Sequence, residues 1–327
     1  MLTLEQLQEL SCTAVDRAVA EAAGGKGPRG LYEPIEYMMS TGGKRLRPMM
    51  CLMAYNLWND SFGPWILGPA VAMEMFHEFT LLHDDIMDRS DMRRGVPTVH
   101  VRWNDNTAIL SGDTMALEAY EFLSGAPSDK LKDALSLFTA TAVQVCEGQQ
   151  YDMDFESRSQ ISMDEYLAMT GLKTAVLLAG SMKMGALIAG ASPLQQQSLY
   201  DYAYQLGLAF QLADDYLDCY ADEKTFGKKI GGDIVEGKKS WLLVRAMEKA
   251  SADAADALSA AFALSGRDEK IAAVLDVYKR LDIGKEAEDA IRSYESKAMA
   301  ALEPAGLSME QLSRLEAFAG KLLRRDK

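Results

Sequence analysis

Cysteine is scarce in this chain: four among 327 residues, Cys12, Cys51, Cys146 and Cys219. They are scattered without metal-ligand spacing. Met1 to Val15 is amphipathic and acid-bearing, unlike the basic and apolar start of a signal peptide, so a reducing cytoplasm is the expected location. Positive charge is also short, with 34 Lys and Arg against 48 Asp and Glu and a net charge of −14. That balance argues against a protein that wraps nucleic acid by neutralising its phosphates. Long apolar runs are missing too. The longest, Ala175 to Ala191, is broken by Ser181 and Lys183, too short and too interrupted for a membrane span. It reads as a helix buried on all sides. Strand-type alternation is hard to find, and no linker is long or low enough in complexity to divide domains. Residues 1–327 are therefore expected to form one domain.

What is present is helical periodicity, in a composition that is 48% hydrophobic and 25% charged. The strongest segments are Leu4 to Ala22, Leu31 to Ser40, Pro48 to Leu57, Pro69 to Asp88, Thr107 to Leu123, Leu131 to Phe155, Met163 to Ala191, Pro193 to Tyr220 and Ser240 to Ala250. Breaks fall at Gly24-Gly25, Gly42-Gly43, Gly63-Pro64, Gly95 to Pro97 and Gly227 to Gly237. Ser162 before Met163-Asp164-Glu165, and Ser308 before Met309-Glu310-Gln311, read as helix starts. The fold class is all-α: a single bundle of about a dozen helices with its site in a central cavity between them. The 19 methionines suit adaptable core packing.

One five-residue word occurs twice, as Asp84-Asp85-Ile86-Met87-Asp88 and Asp214-Asp215-Tyr216-Leu217-Asp218. On a helix its first and fifth residues lie one turn apart on the same face, so each copy offers paired carboxylates. Acidic residues at helical spacing are usually a solvated face. These follow largely apolar runs, Met73 to His83 and Leu206 to Ala213. Clustered there, carboxylates would repel and desolvate one another unless a cation joined them. Carboxylate oxygens suit Mg2+, which is commonly shared between one or two protein carboxylates and substrate phosphates.

Basic groups stand where a phosphorylated substrate would need them. Gly42-Gly43-Lys44-Arg45-Leu46-Arg47-Pro48 combines glycines that let backbone approach an anion with forked arginine donors. Arg93-Arg94-Gly95 follows the first acidic word. Around the second lie Lys173-Thr174, Gln211 one turn before Asp214, and Gly227-Lys228-Lys229-Ile230-Gly231-Gly232-Asp233 leading to Lys238-Lys239-Ser240-Trp241. Such a stretch can close over phosphates or be an ordinary loop. It is not a P-loop, since the Gly-Lys-Ser/Thr core is absent.

In type, order and spacing these motifs, from Gly42 to Trp241, resemble those of the trans-isoprenyl diphosphate synthases, the family that holds farnesyl and geranylgeranyl diphosphate synthases. The resemblance implies that Gly43, Lys44, Arg47, His77 and Arg94 hold isopentenyl diphosphate without metal. It implies that Asp84, Asp88 and Asp214 ligate three Mg2+ ions on the allylic diphosphate, supported by Asp85, Asp215 and Asp218. Arg93, Lys173, Lys228 and Lys238 would contact that diphosphate directly, with Lys228 and Lys229 both open as the loop contact. Lys173, Thr174 and Gln211 would stabilise the allylic cation. A homodimer is implied as well.

The implied reaction is ionisation of the allylic diphosphate, attack by the double bond of isopentenyl diphosphate, and proton loss. The growing chain should meet the helix before Asp84, where Phe79, Thr80 and Phe76, then Met75, are placed. In the family an aromatic five residues before the first acidic word commonly forms a floor, and Phe79 holds that place. Thr80 is small where many farnesyl synthases carry a second aromatic, which favours a twenty-carbon product, with fifteen carbons the alternative. Phe76 and Met75 offer a deeper floor. A class I terpene cyclase and a non-catalytic partner subunit are the rivals. A cyclase usually carries Asn, Ser or Thr and Glu in its second metal word, and partner subunits often lose one; both words here are DDxxD.

Overall fold

The computed structural model describes residues 1–221 and 230–324. The described chain is overwhelmingly helical, as expected; its only strands are a two-residue antiparallel pair, β1 (Met92–Arg93) and β2 (Val96–Pro97). The helices gather into two compact units, Met1–Ala142 with Leu177–Tyr200, and Val143–Val176 with Asp201–Lys327.

In the first unit, α1 (Leu4–Ala22) opens with a capping box in which Thr3 and Gln6 bond each other's backbone N–H. It is followed by α2 (Arg29–Ser40), α3 (Leu46–Tyr55) and α4 (Pro64–Met87). Beyond the hairpin come α5 (Val99–Arg102), α6 (Asp105–Leu123) and the start of α7 (Leu131–Glu156). The centre is α4, whose residues from Pro69 to Phe76 are all buried and which packs chiefly on α6 and α3. It begins five residues before the expected Pro69. Pro64 takes the first helical position after Gly63, where a missing N–H costs no helical bond.

In the second unit, α8 (Met163–Thr170) runs into a π-helical turn, Gly171–Ala175, and then into α9 (Val176–Ile188), most of which belongs to the first unit. The stretch Met163 to Ala191 thus holds a break that its apolar pattern does not register, because the backbone stays right-handed helical on both sides of the turn. Met163–Ile188 is the one stretch among the described residues long and apolar enough to cross a membrane, and 78% of its most apolar window is buried within the protein. Next come α10 (Pro193–Tyr220), α11 (Gly232–Glu236), α12 (Trp241–Lys249), α13 (Ala252–Phe262), α14 (Arg267–Arg280), α15 (Ile283–Ala300) and α16 (Met309–Arg324). Tyr166, Leu212, Trp241, Leu242, Val274, Tyr278 and Ile283 share this unit's core.

Candidate active site

The first acidic word ends α4, with Asp88 as its C-cap. Its members part company there. Asp84 is half-buried and Asp88 exposed, while Asp85 is buried and accepts from Arg93 Nε at 2.8 and 2.9 Å and from Arg93 Nη2 at 2.7 Å. Burial pushes the Asp85 carboxyl up, and Arg93 pulls it back. Arg93 owes its position to the hairpin. Arg94 (φ 51°) and Gly95 (φ 80°) form a two-residue turn with positive φ at both positions, the kind that matches strand twist. Glycine adopts that geometry freely; an arginine there needs to be held.

Glu78 holds it. Arg94 donates from Nη2 to Glu78 Oε1 at 2.9 Å and from Nη1 to Oε2 at 3.2 Å, and also to Thr41 Oγ1 at 3.1 Å and the Gly42 carbonyl. Gly43 (φ 137°) makes room, since a Cβ there would stand 3.1 Å from Arg94 Nη2. Arg45, the N-cap of α3, is a second arginine in the left-handed region, at φ 45°. Its buried guanidinium donates to Glu74 at 3.1 Å, to Glu78 at 2.8 Å and to the Met39 carbonyl. Arg47 is half-buried, and its Nε is buried without a hydrogen-bond partner. Desolvation lowers the Arg47 pKa, and Glu74 and Glu78 oppose that. His77 is driven well below its ordinary range, first by burial and then by Arg47, Arg94, Arg93 and Arg45. A neutral imidazole with guanidiniums around it suits an anion. Lys44 is exposed beside it in sequence, and its carbonyl accepts from Gln8. The first unit thus brings Gly43, Arg47, His77 and Arg94 near one another. The sequence alone places Arg45 with this pocket as a phosphate donor and gives Glu74 and Glu78 no role; two glutamates one turn apart in an otherwise apolar run were the available signal.

The helix leading to Asp84 carries an aromatic column. His83 packs edge-on to Phe79 at 4.7 Å, Phe79 on Phe76 at 5.4 Å, Phe76 on Phe138 of α7 at 5.6 Å, and Phe138 on Tyr120 of α6 at 5.0 Å. Thr80 turns its hydroxyl onto the His77 carbonyl, at 2.7 Å, and adds no ring.

In the second unit, Asp214 and Asp218 are half-buried and Asp215 is buried. Asp215 accepts from the Tyr166 hydroxyl and the Trp241 N–H, both at 2.7 Å, and from Gln211 Nε2 at 3.0 Å, yet burial still pushes its carboxyl up to about 6. Asp218 accepts from the N–H groups of Gly232 at 3.2 Å and Asp233 at 3.1 Å, the open end of α11. Asp233, absent from the expected set, is pushed up to about 7 by burial and by Asp215, Asp218 and Asp214, against the pull of Lys238. Lys238 is exposed and pairs with Glu236 at 3.1 Å. The π-helical turn presents Lys173, bonded to Asp152 at 2.6 Å, and Thr174, which donates to Gln211 at 3.3 Å. Gly148 admits that turn: a Cβ there would lie 2.2 Å from the Lys173 nitrogen. Lys228 and Lys229 lie outside the described residues.

Among the described residues, no three His, Cys, Asp or Glu side chains converge as a metal cage by themselves. Mg2+ needs none, because it retains water and takes phosphate oxygens alongside one or two carboxylates. Hard oxygen donors whose pKa values are raised by burial and then by one another fit such an ion.

An all-helical chain with two aspartate words, one arginine-ringed histidine and an aromatic column defines a protein for phosphorylated, apolar substrates. The polyprenyl synthetase family profile matches residues 28–281. The geranylgeranyl diphosphate synthase of Methanosarcina mazei is 42% identical over 237 residues, 72% of this chain and 73% of that protein. The short chain isoprenyl diphosphate synthase of Methanothermobacter thermautotrophicus is 38% identical over 266 residues, 81% of each. A crystal structure of a geranylgeranyl pyrophosphate synthase superposes with a TM-score of 0.93 at 41% identity, covering 100% of both chains. The chain belongs to the polyprenyl synthetase family.

Proposed function

We propose that this chain is a short-chain trans-prenyltransferase that condenses isopentenyl diphosphate with an allylic diphosphate and releases geranylgeranyl diphosphate. The observation that carries the reading is the division of labour between the basic and acidic clusters. The basic cluster suits a diphosphate bound without metal, which fits isopentenyl diphosphate, whose own diphosphate does not leave in the reaction. Lys44, Arg47, Arg94 and neutral His77 form it, with Gly43 leaving room for Arg94. The aspartate words suit the allylic diphosphate: Asp84, Asp88 and Asp214 would hold three Mg2+ ions, and Asp85, Asp215 and Asp218 would support them. Bound Mg2+ supplies the charge neutralisation that a departing diphosphate requires.

The remaining steps fall to the chain. Arg93, Lys173, Lys238 and Lys228 or Lys229 steady the leaving diphosphate; Lys173, Thr174 and Gln211 line the allylic cation, and Thr174 and Gln211 offer it oxygens. The double bond of isopentenyl diphosphate attacks that cation, and the proton lost from the adduct goes to the departed diphosphate. The product grows toward Phe79 and Phe76, which support twenty carbons as its limit. Residues 1–327 would act as one catalytic domain, in the cytoplasm and as a homodimer. The apolar surface of α6, with Ile109, Leu110 and Leu117 exposed, supports the dimer.

Incubation of the purified protein with Mg2+, isopentenyl diphosphate and farnesyl diphosphate, followed by chromatography of the product, tests the reading. Geranylgeranyl diphosphate is expected. A fifteen-carbon end product from shorter starters would make it a farnesyl synthase. Hydrocarbon released from the allylic substrate alone would make it a cyclase, and product only after a second chain is added would make it a partner subunit.

A further inference from the structure

Two arginines in left-handed backbone conformations, Arg45 (φ 45°) and Arg94 (φ 51°), meet on one carboxylate, Glu78, whose side chain is 0% exposed. Such a conformation is uncommon for a residue with a Cβ and persists only where surrounding contacts enforce it. The two arginines end different segments. Arg45 closes the loop that carries Gly43 and Lys44 and starts the helix that carries Arg47; Arg94 is the hairpin tip. Glu78 is therefore the joint between two pieces of the basic cluster. Its neighbour Glu74 also accepts from Arg45 but has no hydrogen bond to Arg94.

The proton count on Arg94 gives the joint a direction. Nη1 has two protons and three acceptors, Glu78 Oε2, Thr41 Oγ1 and the Gly42 carbonyl. Nη2 gives one proton to Glu78 Oε1. That leaves Nε–H and the second Nη2 proton for an anion, in the forked geometry that matches phosphate oxygens. Thr41 and the Gly42 carbonyl take Nη1 alone, whereas Glu78 takes both Nη1 and Nη2 and so fixes which edge of the guanidinium faces outward.

We propose that Glu78 is a positioning residue for isopentenyl diphosphate: it fixes the free edge of Arg94 and, through Arg45, the set of the Gly43-Lys44 loop. This rests on the function proposed above. A buried carboxylate beside a diphosphate site would on charge alone weaken anion binding, so removing it would tighten the substrate. Positioning predicts the reverse.

Steady-state kinetics of Glu78→Gln and Glu78→Asp, with each substrate varied in turn, separate these. Gln keeps the reach and loses the charge; Asp keeps the charge and loses the reach. Both are expected to raise KM for isopentenyl diphosphate about tenfold, while KM for the allylic diphosphate stays within about twofold. An unchanged or lowered KM for isopentenyl diphosphate in either variant overturns the proposal. Parallel increases in both KM values, or loss of the folded state in thermal unfolding of both variants, would assign Glu78 to architecture alone and overturn it too. Failure of the unmodified protein to form any prenyl diphosphate would instead count against the proposed function.

Discussion

Asp215 shows how differently the carboxylates of one word behave. It is buried and accepts from three donors, yet its carboxyl titrates near 6 rather than near the 3.8 of an ordinary aspartate. The folded protein thus binds this proton more tightly than the unfolded chain does. The stability that follows is complete below pH 3.8 and is lost as the pH rises through about 6, amounting to about 3 kcal/mol. In chelator, urea unfolding of Asp215→Asn should lose that part of the slope between pH 4 and pH 6; an unchanged slope would mean that other groups carry it. Asp84 belongs to the other kind, half-buried at a helix end beside exposed Asp88. Asp84→Ala should leave the thermal midpoint nearly unchanged and lower turnover at least about a hundredfold. Turnover near normal would remove Asp84 from the metal set.

At the scale of elements, α4 does two jobs: its C-terminal end carries carboxylates, and one face of it supports rings. Phe79→Ala removes the first phenyl ring of the column, next to His83, and the product distribution should move beyond twenty carbons, read by chromatography. An unchanged distribution would make Phe76, braced by Phe138, the floor. Much of this helix was legible beforehand, because an apolar run ending in an acidic word signals both burial and a site. Its two glutamates were not. A string of letters carries their charge but not their burial, and Arg45 lies 29 and 33 positions from them. The π-helical turn at Gly171–Ala175 was hidden for a related reason. It is set by what presses on it, Gly148 and Tyr204, and not by its own periodicity. Asp218 was seen as a ligand and not as the acceptor for the open end of α11, because the helix it caps begins 14 residues later.

At the scale of the whole molecule, a net charge of −14 coexists with a basic site because Arg45, Arg47, Arg93 and Arg94 are gathered at the start of one helix and on one hairpin. The same unit leaves Ile109, Leu110 and Leu117 of α6 in solvent, Leu117 at 70% exposure. Isolated apolar side chains are ordinary on a surface; several along one helix are what a second copy would cover. Leu117→Glu is expected to shift the sedimenting species from dimer toward monomer. An unshifted dimer would place the interface elsewhere. Periodicity revealed the helices but not which of their faces stay uncovered, since α6 is apolar on more than one side.

The backbone angles of Arg45 and Arg94 also bear on how this protein can be engineered. Glycine or asparagine fits a left-handed residue better than arginine does, by roughly 1–2 kcal/mol for glycine. Either replacement would nonetheless strand the buried carboxylate of Glu78, a loss larger than the backbone strain relieved. At these two positions the substitution that the backbone angle invites is the one that the buried charge forbids.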